Sequence, residues 1–119
     1  MDISDVRARL RAFTDERDWA QFHTPRNLTL ALVGEVGELA ELMQWRSDDD
    51  VAAFARTAAG REALEDELAD VFTYLVEVAD SLGIDLDAAV HAKIDKNAVK
   101  YPVELSRGSN AKYTELGTA

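Results

Sequence analysis

An all-α fold, with a four-helix core and an irregular C-terminal tail, is predicted by three observations on the 119-residue sequence. Apolar residues recur at three- and four-residue steps along most of the chain, which is the period of an amphipathic helix. Only two prolines, Pro25 and Pro102, interrupt it, and the residues between them are dominated by Ala, Leu, Val, Glu and Asp. Apolar residues make up 47% of a chain of ordinary domain length, so a single domain over 1–119 is expected, burying roughly two thirds of its unfolded surface.

The first helix is predicted to start after a Ser4 or Asp2 cap and to run to about Trp19, with Val6, Leu10 and Phe13 on one stripe. After a turn through Phe22-His23-Thr24-Pro25, a second begins near a capping Asn27 and ends near Trp45. Its apolar arc is Leu28, Leu32, Val36, Leu39 and Met43. Residues 46–61, with the acidic run Asp48-Asp49-Asp50, read as a loop or a short helix. A third helix is expected over about Glu62 to Leu82, facing Leu64, Leu68, Val71, Phe72, Leu75 and Val78 inward and closed by Gly83. A fourth starts at Asp85 or Asp87, includes Val90 and Ile94, and stops before Pro102, because the residue preceding a proline avoids helical geometry. The remaining tail, with Gly108, Ser109 and Asn110, is expected to be extended or irregular.

Charge excludes whole classes of function. Lys and Arg total 13 against 23 Asp and Glu, a net charge of −10, which opposes non-specific attraction to nucleic acid or an anionic membrane. The chain has no cysteine, so disulfides, thiolate metal sites and a thiol nucleophile are excluded, and a reducing cytoplasm is the expected compartment. The longest apolar run is far short of the ~20 residues of a membrane span, and Met1 opens onto Asp2 and Asp5 rather than a basic leader. The charge is also segregated. Residues 35–87 hold fifteen acids and three bases, whereas residues 93–112 hold five bases and two acids. A metal ion and a phosphate group would satisfy both regions.

Two carboxylate pairs share one spacing: Glu35 with Glu38 in EVGELAE, and Glu67 with Asp70 in EDELADVF. Three-residue steps place each pair on one side of its helix. At 100° per residue Glu35 falls between Leu28 and Leu42, and Glu67 between Tyr74 and Val78, both at the margin of the apolar face. A carboxylate pushed toward a core must be protonated, paired with a base or bound to a cation. Bases are nearly absent from these two helices, which leaves protonation or a metal. Oxygen donors without cysteine suit a hard cation, Mg²⁺ or Mn²⁺. Acids on amphipathic helices also occur simply as solvated residues. Gly34 and Gly37, each costing ~1 kcal/mol against Ala within a helix, point to close packing of another helix or of a ligand beside these acids.

Trp19, Phe22, His23, Trp45 and Tyr74 form a second group that can stack on a planar base, although core packing is the ordinary role of such side chains. Lys93, Asn97 and Lys100 recur at one-turn intervals and can reach the oxygens of a polyphosphate; lysines near a helix C-terminus also simply complement its dipole.

The stretch ERDWAQFHTPRNLTLALVGEVGELAELMQW, followed by EDELADVFTYL, KIDKNAVKYP and KYTEL, resembles the MazG-type all-α nucleoside triphosphate pyrophosphohydrolases, and within them the dCTP pyrophosphatases. The resemblance spans residue 3 to Leu116 and implies a Mg²⁺-dependent hydrolase that cleaves dCTP, or a 5-modified dCTP, to the monophosphate and pyrophosphate. It places metal ligands at Glu35, Glu38, Glu67 and Asp70. The base pocket would fall on Trp19, Ala20, Gln21, Phe22 and His23, with Trp45 and Tyr74, and phosphate contacts on Lys93, Asn97, Lys100, Lys112 and Tyr113. A homotetramer, a dimer of dimers with sites built from more than one subunit, is implied as well. The chain departs from a related animal enzyme in having Leu10 where a nucleotide-contacting histidine stands, and in a shorter 46–61 segment; both bear on cytosine selectivity. Glu38, less embedded than Glu35, is the candidate general base, with Glu41 as its rival. Hydrolysis of dUTP or another unusual triphosphate, and a helical scaffold that binds nucleotide without chemistry, are the alternatives.

Overall fold

Each long helix begins at a side chain that captures an orphan backbone N–H. In the computed structural model, which describes residues 1–117, Asp2 accepts from the Ser4 N–H at 2.8 Å and opens α1 (Ile3–Glu16). The helix stops short of Trp19 because Asp18 turns left-handed, at φ 55°. A single 3₁₀ turn, Ala20–Phe22, leads into α2 (Pro25–Met43). Here the expected cap is displaced by one turn. Thr24 accepts from the Asn27 N–H at 3.2 Å and Pro25 takes the first helical position, while the Asn27 side chain reaches back to donate to the Phe22 carbonyl at 3.0 Å. Proline at that position loses no hydrogen bond, which makes the Thr-Pro start the better one.

Residues 46–61 resolve as a short helix and the start of the next. Ser47 caps α3 (Asp48–Arg56), accepting from the Asp50 N–H at 3.1 Å. The acidic run lies in its first turn, where the helix dipole favours negative charge. Thr57 ends α3 and caps α4 (Ala58–Ser81), which therefore starts one turn earlier than its apolar pattern indicated. The join is tight: a Cβ built on the buried Gly60 would lie 2.0 Å from the Phe54 carbonyl oxygen. Gly83, at φ 65°, closes α4, with the Ile84 N–H returning to the Ala79 carbonyl at 2.9 Å. Asp85 caps α5 (Leu86–Lys100) through the Ala88 N–H at 3.1 Å. The segment expected to be irregular contains a one-turn helix α6 (Val103–Ser106) and a 3₁₀ turn (Tyr113–Glu115). No strand occurs among the described residues.

The chain divides into two compact units, one over Met1–Ile84 and one from Asp85 onward. In the first, α2 packs along α4, with α1 and α3 flanking α4. The two long helices run antiparallel, since Leu28 shares a cavity with Val76 while Glu35 and Glu38 meet Glu67. Leu28, Val76 and Ala79 are the unit's buried apolar residues among those described. Val36, Met43, Leu68 and Leu75, which the pattern turned inward, are all at least 40% exposed. Periodicity identified the apolar faces correctly as faces; this chain alone does not cover them.

Candidate active site

Antiparallel packing of α2 on α4 is what brings the two acid pairs together, because a residue late in α2 then lies opposite one early in α4. One carboxylate oxygen from each of Glu35, Glu38 and Glu67 falls within a group whose members lie within 4.8 Å of one another. Asp70 lies outside that group, but close enough for its charge to act on both Glu35 and Tyr74. Glu35 and Glu67 are partly buried, and each has a carboxylate oxygen with no hydrogen-bond partner; Glu38 is exposed.

The electrostatics follow from that crowding. Burial, with Glu38, Asp70 and Glu67 all facing it, pushes the Glu35 carboxyl up to about 7. Burial and then the Glu38 charge raise Glu67 in the same direction. Among the described residues no lysine or arginine pairs with any of the four acids. Such a set of oxygen donors is mutually repulsive unless protonated or bridged by a cation, so it fits a hard divalent ion. The close packing expected at Gly34 and Gly37 is not made among the described residues, for a Cβ at either position would meet nothing within 4 Å.

Beside the acids, a cleft of about 380 Å³ is lined by Leu10 and Phe13 of α1, Trp19, His23, and Asp70, Thr73, Tyr74 and Glu77 of α4. Trp19 is held edge-on to Phe13, ring centres 5.7 Å apart, and its centre lies 6.2 Å from that of His23. Burial, then the charges of Glu77, Glu35 and Asp70, raise the Tyr74 hydroxyl above its ordinary range. Asp70 therefore belongs to the cleft wall while acting on the acid cluster. Of the other residues expected here, Ala20, Gln21 and Phe22 form the adjoining 3₁₀ turn outside the cleft, with Gln21 tied to the Asp18 carbonyl at 3.0 Å. Trp45 is not brought to the cleft by this chain: it is 94% exposed, with left-handed backbone at φ 68°.

In the second unit, Lys93, Asn97 and Lys100 are exposed along α5, and the tail folds back on its end. The Lys100 ammonium lies 4.9 Å from the centre of the Tyr113 ring, which meets Tyr101 edge-on at 6.2 Å, and Lys112 precedes that turn. The unit thus gathers two lysines and two tyrosines at one helix end.

Sequence reasoning overlooked Thr73 and Glu77. Glu77 follows Asp70 by seven residues and Glu67 by ten, so helical spacing alone marks it as a third acid on the same side of α4.

Comparison with known proteins bears on all of this. The chain is 54% identical to dCTP pyrophosphatase 1 of Mus musculus over 114 residues, covering 96% of this chain and 67% of that protein. It is 51% identical to the Homo sapiens protein of the same name over 114 residues, with the same coverage. Among solved structures, a pyrophosphatase from Archaeoglobus fulgidus DSM 4304 is similar at a TM-score of 0.77 and 38% identity, covering 83% of this chain and 91% of that one. Residues 31–116 match the model of the MazG-like family, a span holding all four acids and the basic α5, and the chain belongs to that family.

Proposed function

We propose that this chain is a Mg²⁺-dependent pyrophosphohydrolase that converts dCTP, or a 5-modified dCTP, and water to dCMP and pyrophosphate, removing unwanted nucleotide from the cytoplasmic pool. The observation that carries the reading is the convergence of unpaired carboxylates, Glu35, Glu38 and Glu67, beside an aromatic cleft whose wall includes Asp70. The names of the relatives supply the substrate.

Glu35, Glu38, Glu67 and Asp70 hold the cation, Mg²⁺ with Mn²⁺ as a substitute. When bound, it neutralises triphosphate charge and lowers the pKa of a water molecule. Glu38, the exposed member of the cluster, accepts a proton from the water that attacks the α-phosphorus. Trp19, His23 and Tyr74 hold the pyrimidine, with Ala20, Gln21 and Phe22 framing the turn that carries Trp19 and His23. Lys93, Asn97, Lys100, Lys112 and Tyr113 face the phosphates.

The working form is a homotetramer, a dimer of dimers. Its support is the apolar surface that one chain leaves open, including Leu30, Val33 and Val36 on α2 and an apolar groove of about 610 Å³ that includes Val6, Phe13, Leu68 and Phe72. Trp45, with its exposed ring, is supplied to the site of another copy.

The test is pyrophosphate release from a panel of standard and 5-modified triphosphates with magnesium present. Highest kcat/KM with dCTP or its 5-methyl form is expected. Preference for dUTP overturns the cytosine assignment and keeps the chemistry; release from no triphosphate overturns the enzyme reading altogether. Sedimentation velocity checks the tetramer.

A further inference from the structure

Glu77 is a partly buried carboxylate that the proposed hydrolysis does not use. It lies on α4 between two cavities, the base cleft and a smaller one of about 170 Å³ behind it that also touches Arg11, Asp80 and Leu28. Its Oε2 is buried and has no hydrogen-bond partner. Removing a carboxylate from water in this way is costly unless a donor is close.

The charged neighbours identify that donor. Asp80, one turn along α4, is taken up by Arg11, whose Nε donates to Oδ2 at 2.9 Å in a two-pronged pair. Tyr74, one turn the other way, makes no hydrogen bond to Glu77 among the described residues. Arg7, which also lines that cavity, donates to the Ser4 hydroxyl oxygen at 3.2 Å and makes no ion pair with Glu77 among the described residues; His23 Nδ1 stands 3.6 Å from Glu77 Oε2. Both side chains are mostly buried, at 22% and 16% exposure. The distance exceeds a hydrogen bond by about 0.5 Å, a looseness common where a ligand completes the arrangement. The opposite edge of the imidazole has no hydrogen bond among the described residues, and the ring itself lines the cleft beside Trp19.

We infer that Glu77 is a positioning residue: its carboxylate accepts the Nδ1 proton of His23 and fixes the imidazole so that the edge bearing Nε2 meets the polar edge of a pyrimidine stacked on Trp19. This deepens the proposed function and rests on the cleft's being the base site. A carboxylate behind an imidazole sets both its tautomer and its tilt. Leu10, Phe13 and Trp19, the cleft's other lining residues outside α4, offer no carboxylate, hydroxyl or imidazole, so His23 carries the polar recognition from that part of the wall.

The test joins kinetics with imidazole ¹⁵N NMR on the intact chain. In the wild type at neutral pH, His23 Nδ1 is expected to carry a proton, with the Nε2 resonance moving on addition of dCMP. Glu77→Met, close in volume and without an acceptor, should raise the KM for dCTP about tenfold, the loss of one charge-assisted hydrogen bond, leave kcat within about twofold, and change the His23 resonances. Wild-type KM and unchanged resonances in Glu77→Met, with KM raised in His23→Asn, overturn this inference alone. Wild-type KM in His23→Asn overturns the base-site reading and this inference with it. Should Glu77→Met not fold, the wild-type spectrum decides, for an unprotonated Nδ1 overturns the inference.

Discussion

Helix α4 carries two acid pairs ten residues apart, Glu67 with Asp70 and Glu77 with Asp80, and their surroundings are opposite. Glu67 meets Glu35 and Glu38 from α2, with no base paired to them among the described residues. About 15 Å along the same helix, Asp80 has Arg11 and Glu77 faces His23. Residue type, spacing and helix are the same in both pairs. Burial pushes Glu67 and Glu77 up alike; what differs is the neighbour, for the Glu38 charge adds to the rise at Glu67, whereas His23 opposes it at Glu77 and the Arg11 hydrogen bond holds Asp80 below its usual range. At one end of α4 Arg11 pairs with Asp80 and His23 faces Glu77; at the other the acids meet only acids.

Breaking the uncompensated end should have the largest effect. Glu38→Gln should lower pyrophosphate release by about 10²–10⁴-fold, the usual worth of a general base, with circular dichroism unchanged; wild-type turnover would remove Glu38 from both of its roles.

Cation binding sharpens the contrast next. At a magnesium concentration of about 100 times its Kd, linkage adds ~2.7 kcal/mol of stability, seen as a rise in melting temperature. Glu35→Gln should lose that rise and Arg11→Ala should keep it. Equal rises in both variants would mean that the ion binds elsewhere.

The pH dependence of metal-free stability should then separate the two ends. A carboxyl raised in the fold contributes stability that is complete below its unfolded value of 4.5 and is lost as pH rises through about 7. Glu35 therefore makes the chelated protein less stable at pH 8 than at pH 5, and Glu35→Gln should flatten that limb. Asp80 has the opposite sign: its contribution is complete above 3.8 and is lost as pH falls through its lowered folded value. Arg11→Ala should flatten only this acid limb. The effect is the smallest of the set, since Arg11 is exposed and added salt screens the pair.

Much of this was legible in the chain. The turn signals Pro25, Gly83 and Pro102 bounded the long helices, and three-residue carboxylate spacing singled out Glu35, Glu38, Glu67 and Asp70 before any fold was known. Local competition was harder to read. Thr24 displaced Asn27 as a cap because Pro25 follows it, and α3 was ambiguous because nine residues carry little periodic signal. Helical spacing put Glu77 on the side of Asp70, but what sets it apart is a partner 54 positions away in sequence, which no local pattern contains.

The sequence by itself determined where helices form, which faces are apolar and which acids share a side, because these depend on interactions within a few residues. Only the tertiary structure decided which acids meet other acids and which meet a base. That outcome depends on the antiparallel register of α2 on α4, and on where α1 and the turn before α2 lie against α4, set by packing between segments distant along the chain.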